Sequence, residues 1–161
     1  MEKVNTGNYI PMALSRSEIL DRALMLSEQM AGSIERAAAN YSLTVPRLEL
    51  LFVLGLQGEC KQVELAGFLD CSPRQVTALV DGLVASGHVE RHMQPDDRRV
   101  RLVRLTEESR RIVDEVVQAR VALADWLFDE VDDDELQAFG AVSELLVSRM
   151  SGRSLTRLAD Q

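Results

Sequence analysis

This chain of 161 residues holds little that could do chemistry. It has two histidines, His88 and His92, two cysteines, Cys60 and Cys71, and one tryptophan, Trp126. There is no serine–histidine–aspartate pattern, no glycine-rich phosphate loop and no H-E-x-x-H stretch, so an enzyme is not expected and no catalytic residue is assigned. His88 and His92 fall four apart on one expected strand, which separates them by about 13 Å, too far to share a metal ion. No metal site and no cofactor is expected. Two cysteines make no disulfide framework. The first residues lack the pattern of a signal peptide, and no apolar run reaches the roughly 18 residues that a membrane span needs. A reducing, cytoplasmic setting without membrane contact is the resulting expectation.

Positive charge is also scarce. Eighteen Lys and Arg face 26 Asp and Glu, for a formal net charge of −8. Such a chain repels phosphate backbones over most of its surface. The deficit is uneven, however. Residues 1–71 hold 6 basic and 9 acidic side chains and residues 112–161 hold 4 and 11, whereas residues 72–111 hold 8 and 6. Only this middle segment is suited to touch a nucleic acid. Hydrophobic residues make up 46% and charged residues 27%, a globular composition for one domain or two small lobes. There is no internal repeat and no low-complexity segment.

Helix signals punctuate the chain. Ser15 or Ser17 can cap a helix reaching Asn40, with Ile19, Leu20, Ala23, Met30, Ile34 and Ala37 near helical spacing. Thr44 and Pro46 open a second helix, with Leu48, Leu51, Phe52 and Gly55 on its inner face and Gly58 as its stop. A short helix follows near Gln62–Asp70, with Val63, Leu65, Ala66 and Leu69 inside. Ser72 is then a strong N-cap with Pro73 at the first helical position, and Val76, Leu79, Val80 and Leu83 form one apolar stripe that Gly87 ends. The opposite face carries Arg74, Gln75, Thr77, Ala78 and Asp81.

After Gly87 the period changes. His88–Met93 and Val100–Thr106 read as two strands joined around Pro95, Asp96 and Asp97. Val100, Leu102 and Arg104 share one face of the second strand, and Arg101, Val103 and Leu105 the other, so both faces are mixed. Thr106 caps a long helix with Glu107 and Glu108 in its first turn, where the helix dipole favours acids. Its apolar stripe continues to about Glu130. The acidic run Asp132–Glu135 starts a last helix bearing Leu136, Phe139, Val142, Leu145, Leu146 and Met150, and the tail after Gly152 is expected to fray.

Helix, turn, helix and hairpin is the layout of a winged helix-turn-helix, whose second helix can enter the major groove of DNA. On the Ser72 helix, Arg74 suits guanine, Gln75 suits adenine, and Thr77 suits phosphate or a thymine methyl; a merely solvated face is the alternative. Arg98, Arg99, Arg101 and Arg104 crowd into seven residues of the hairpin, where an arginine can bind phosphate or enter a minor groove. Asp97, two residues before Arg99, can hold that guanidinium in place by a charge-assisted pair. Asp96 can serve simply to make the turn.

The run VELAGFLDCSPRQVTALVDGLVASGHVERHMQPDDRRVRLVRLT resembles the MarR family of winged helix-turn-helix transcriptional regulators. The likeness rests on Leu65-Ala66, on S-x-x-x-V-T-x-L-V-x-x-L from Ser72, on G-x-V-E-R from Gly87, and on P-x-D-x-R from Pro95 followed by Leu105-Thr106. The family's glycine a few residues after Leu-Thr is missing; Thr106-Glu107-Glu108-Ser109 stands there, with the cap intact. The resemblance implies a mainly α fold: a DNA-binding lobe over 44–105 with a two-stranded wing, and long dimerisation helices over 1–43 and 106–161. It places DNA contacts at Ser72, Arg74, Gln75, Thr77, Asp97, Arg98, Arg99 and Arg101. It also implies a homodimer on a palindromic double-stranded operator, acting as a repressor released by a small aromatic or acidic effector. The apolar stripes of the terminal helices, with Trp126, Leu127 and Phe128 clumped together, agree with a dimer. Tyr41, Arg16 and Arg47 are candidates for lining the effector cleft. Two other readings stay open: a winged helix that binds protein instead of DNA, and a redox sensor using Cys71, which precedes a helix N-terminus.

Overall fold

The computed structural model describes residues 14–94 and 97–150, with the side chains of 94–100 outside that description. The chain divides into two units, Met1–Asp114 and Glu115–Gln161.

In the first unit, α1 (Arg16–Asn40) begins at Ser15, which forms a reciprocal capping box with Glu18. The bonds from Ser15 hold the Glu18 carboxyl below its ordinary pKa. α2 (Val45–Gln57) has Thr44 as N-cap and Pro46 in its first turn, and it ends on Gly58 at φ +77°. Its buried face is Leu48, Leu50, Leu51 and Leu54. Gly55 meets the long helix instead: a Cβ there would stand 2.9 Å from Val113 Cγ1. Phe52 is only half-buried.

A two-residue strand, β1 (Cys60–Lys61), precedes α3 (Gln62–Phe68). No strand is expected here from the sequence. β1 is too short to show a period, and it exists because it pairs with a distant strand. Within α3, Leu65 is buried whereas Val63 is 70% exposed, against the inner position expected of it. Asp70 closes this helix in the left-handed region at φ +46°, and the Cys71 N–H returns to Ala66 O.

α4 (Pro73–Ala85) starts at Ser72 and buries Val76, Val80 and Leu83. Gly87, at φ +76°, completes a Schellman end: Gly87 N donates to Val84 O and His88 N to Leu83 O. β2 (Val89–Gln94) and β3 (Asp97–Leu105) then form the hairpin, and the sheet order is β1-β3-β2, all antiparallel. The wing hairpin is thus joined by a third strand. β3 also begins three residues earlier than the expected Val100, which puts Asp97, Arg98 and Arg99 in the strand. Pro95 and Asp96 lie outside the described residues. Val103 and Leu105 are buried, which decides the face left open above; Arg101 shares their parity but is exposed beyond the end of the core. The core joins these residues to Leu50, Leu51 and Leu54 of α2, Leu65 of α3 and the α4 stripe. Each such side chain contributes about 1.5–3 kcal/mol by leaving water.

α5 (Glu107–Phe128) runs out of this unit. Thr106 Oγ1 accepts from Ser109 N and donates to His88 O, so one hydroxyl caps α5 and ties it to the start of β2. In the second unit, α6 (Asp133–Met150) starts at Asp132, whose Oδ1 accepts from Asp134 N. The rings of Phe128 and Phe139 meet tilted at 48°, with 6.4 Å between their centres. The tail after Gly152 lies outside the described residues.

Candidate nucleic-acid interface

Two stripes at helical spacing run along the outer side of α4, exposed except at the half-buried Gly82. One is Arg74, Thr77 and Asp81; the other is Gln75, Ala78 and Gly82. Each leads toward a different neighbour. Asp81 pairs with Arg91 of β2 at 2.5 Å, so the first stripe borders the wing. Gly82 lies beneath the guanidinium of Arg47 from α2, and a Cβ at that glycine would come within 3.1 Å of Arg47 Cζ. The second stripe therefore borders the first turn of α2.

At the N-terminus of α4, Ser72 and Gln75 hold each other. Gln75 Oε1 accepts from Ser72 N at 2.9 Å and from Ser72 Oγ at 2.7 Å, while Ser72 Oγ accepts from Gln75 N at 3.3 Å. Gln75, expected to read a base, also completes the capping-box spacing S-x-x-Q, a pattern legible in the sequence. The oxygen of Gln75 is engaged; its amide nitrogen makes no hydrogen bond among the described residues. Thr77 is exposed, and its Oγ1 donates to Pro73 O at 2.9 Å. Arg74 is exposed and makes no ion pair among the described residues.

On the wing, β2 and β3 pair regularly from Val89↔Leu105 to Met93↔Arg101, and the next pair is Gln94↔Asp97. Arg98, Arg99 and Val100 thus fall in a register shift with no opposite residue on β2. Such a bulge bends a strand and increases its twist. The side chains of Asp97, Arg98 and Arg99 lie outside the description, and so does the expected Asp97–Arg99 pair. Arg101 is exposed beside Met93, without an ion pair among the described residues.

Ion pairing divides the arginines of this unit. Arg91 holds Asp81, Arg104 holds Glu90 across the hairpin at 3.0 Å, and Arg111 holds Glu108 at 2.7 Å. These surface pairs are worth about 0–1 kcal/mol each and act mainly as positioning links. The Arg91–Asp81 link, between residues ten apart on different elements, leaves no local signal in a sequence. His92 Nε2 reaches Glu59 Oε2 at 2.7 Å, and its buried Nδ1 has no partner among the described residues. His88 Nδ1 meets Ser86 Oγ at 2.8 Å. Cys60 is buried, and desolvation, followed by the nearby Glu64, pushes its thiol pKa up. Cys71 is partly exposed and lines a groove of about 470 Å³ together with Pro46, Arg47, Glu49, Gln75 and Ala78. Of the three residues expected at an effector cleft, only Arg47 reaches this groove.

Three helices capped by a three-stranded sheet, with a bulged hairpin beside the exposed face of the third, define a winged helix-turn-helix module. The fold is similar to that of Streptococcus pneumoniae FabT, whose crystal structure is in complex with DNA (TM-score 0.73, 17% identity, covering 83% of this chain and 98% of that one). The MarR family model matches residues 43–100. The chain is 34% identical over 101 residues to the uncharacterized HTH-type transcriptional regulator YsmB of Bacillus subtilis (strain 168), covering 62% of this chain and 68% of that one. It is 25% identical over 147 residues to a second such regulator of that organism, YhbI, covering 91% and 90%. The chain belongs to the MarR family of transcriptional regulators. No described helix is long and apolar enough to cross a membrane.

Proposed function

We propose that the chain is a homodimeric repressor that reads a palindromic operator, with α4 in the major groove and the β2–β3 wing on the flanking backbone or minor groove. The observation that carries this reading is the outer face of α4. Arg74 stands there with no acidic partner among the described residues, beside a wing whose Arg101 is likewise unpaired. An acidic protein that leaves these arginines open at one place concentrates its attraction for phosphate there. In this reading Arg74 and the amide nitrogen of Gln75 contact base edges, and Thr77 meets a thymine methyl or turns its hydroxyl from Pro73 O to donate to a phosphate. Ser72 presents the helix N-terminus to phosphate, while Arg98, Arg99 and Arg101 bind along the wing and Asp97 orients Arg99.

Residues 44–105 form the DNA-binding lobe, and 1–43 with 106–161 supply the dimer contacts. Support for a dimer comes from apolar side chains left in solvent in each unit. On α1 they include Leu20, Leu24, Met25 and Ile34; in the second unit they include Trp126, Phe139, Val142 and Leu146. Patches of this kind mark interaction surfaces, and burial against a second copy is the simplest way to cover them. A small aromatic or acidic effector would then lower DNA affinity by binding one spacing of the two lobes better than the other. Duplex binding measured against salt tests the core of the proposal. The bound complex should weaken steeply as salt rises, and a flat response would remove the DNA-binding reading. Within it, Arg99→Ala should lower the slope by about one per bound copy without changing sequence preference.

A further inference from the structure

We infer that Arg47, in the first turn of α2, is a DNA-backbone contact on the flank of α4 opposite the wing; this rests on the DNA-binding reading above. The two stripes of α4 carry the argument. The stripe Arg74–Thr77–Asp81 is tied to the wing through the Asp81–Arg91 pair. The stripe Gln75–Ala78–Gly82 runs under Arg47, whose guanidinium occupies the space that any side chain at position 82 would take.

Gly82 is the only residue type that leaves this room, and it stands inside a helix where glycine costs about 1 kcal/mol relative to alanine. Arg47 makes no ion pair among the described residues, although Glu49 lines the same groove. It is half-buried, so its stem is ordered before any ligand arrives and less side-chain freedom is lost on binding. A major groove about 12 Å wide is walled by two phosphate backbones. With α4 lying in it, the wing meets one wall, and the groove between α2 and α4, with Ala78 and Gln75 on its floor, faces the other. A fork of fixed guanidinium donors there suits a phosphate oxygen pair.

The test compares the full-length protein with Arg47→Ala and Arg47→Lys on a mixed-sequence duplex and on a selected operator, each titrated with salt. Arg47→Ala should lower the log–log salt slope by about 0.9 per bound copy. Arg47→Lys should keep the slope near that of the wild type, and the ranking of duplex sequences should not change in either. A wild-type slope in Arg47→Ala overturns the assignment while leaving DNA binding by α4 and the wing intact. An equal loss of slope in Arg47→Lys also overturns it, because the charge would then not be what matters. A wild type with no slope at all would instead remove the DNA-binding reading on which the assignment rests.

Discussion

Gln75 can cap a helix or read a base, and substitutions at this one position separate the two roles. Its oxygen receives both the N–H and the hydroxyl of Ser72, and its own N–H returns to that hydroxyl. All of these bonds are exposed, so each is worth about 0.5–1.5 kcal/mol net. Gln75→Ala removes the two bonds accepted by the side chain and keeps the third, because Ser72 is unchanged. The expected cost is about 1 kcal/mol, the size of a typical cap. In a domain of this size that lowers Tm by about 2–8 °C. Gln75→Glu retains the acceptor, since Glu is the other residue of the capping-box pattern, and adds a negative charge near the positive end of α4. That charge is worth about 0.3–1 kcal/mol in favour of folding. The same carboxylate opposes the phosphates of a duplex. The two variants should therefore split: Ala is less stable, while Glu is as stable as wild type or more so but binds DNA more weakly. Thermal unfolding at one protein concentration, paired with duplex titration, reads both quantities. An unchanged Tm in Gln75→Ala, or a Tm in Gln75→Glu as low as that of Ala, would show that the N-terminus of α4 is not held in this way.

Other substitutions test the packing around the site. Gly55→Ala places a Cβ 2.9 Å from a methyl of Val113, a buried, stiff side chain, and should destabilise by about 1–3 kcal/mol; a rise in urea midpoint would contradict the close approach of α2 and α5. Asp70→Gly relieves a left-handed residue at φ +46° and should raise the urea midpoint by the equivalent of about 1 kcal/mol. Leu83→Ala, at a fully buried site, should cost about 2–5 kcal/mol in chemical unfolding. A thiol reagent should modify Cys71 in the native protein and reach Cys60 only after unfolding. Because the folded pKa of Cys60 is raised, its contribution to stability is present below the ordinary thiol pKa and is lost as pH climbs toward the raised value. Stability curves of wild type and Cys60→Ala should converge there, and curves that stay parallel would argue against a buried thiol.

Caps and stops make most of the helices legible in the sequence alone. Ser15, Thr44-Pro46, Gly58, Ser72-Pro73 and Gly87 each mark a terminus that the structure places within a residue or so. Their information is local, which is why single-sequence reasoning reaches it. What escaped depends on partners far along the chain. β1 consists of Cys60 and Lys61 alone and is defined by Val103 and Leu102 opposite them. The buried face of β3 is set by whether Val103 or Leu102 meets α2 and α3, and alternation with arginine on both faces hides that choice. Val63 looked internal because it is apolar, yet one turn of a seven-residue helix cannot bury two faces. In the site itself, the residues of α4 were legible as a polar face. The reciprocal Ser72–Gln75 bonds had a readable pattern that base recognition overshadowed. The one signal for Arg47 was Gly82, a glycine inside a helix with no turn to require it.

Selection of bound duplexes from a random pool tests the central claim most directly. A dimer placing α4 from two copies in successive major grooves should enrich a palindrome whose half-sites are centred about one helical turn apart, and binding of that duplex should fall steeply with salt. Enrichment of no sequence over the starting pool would contradict the account.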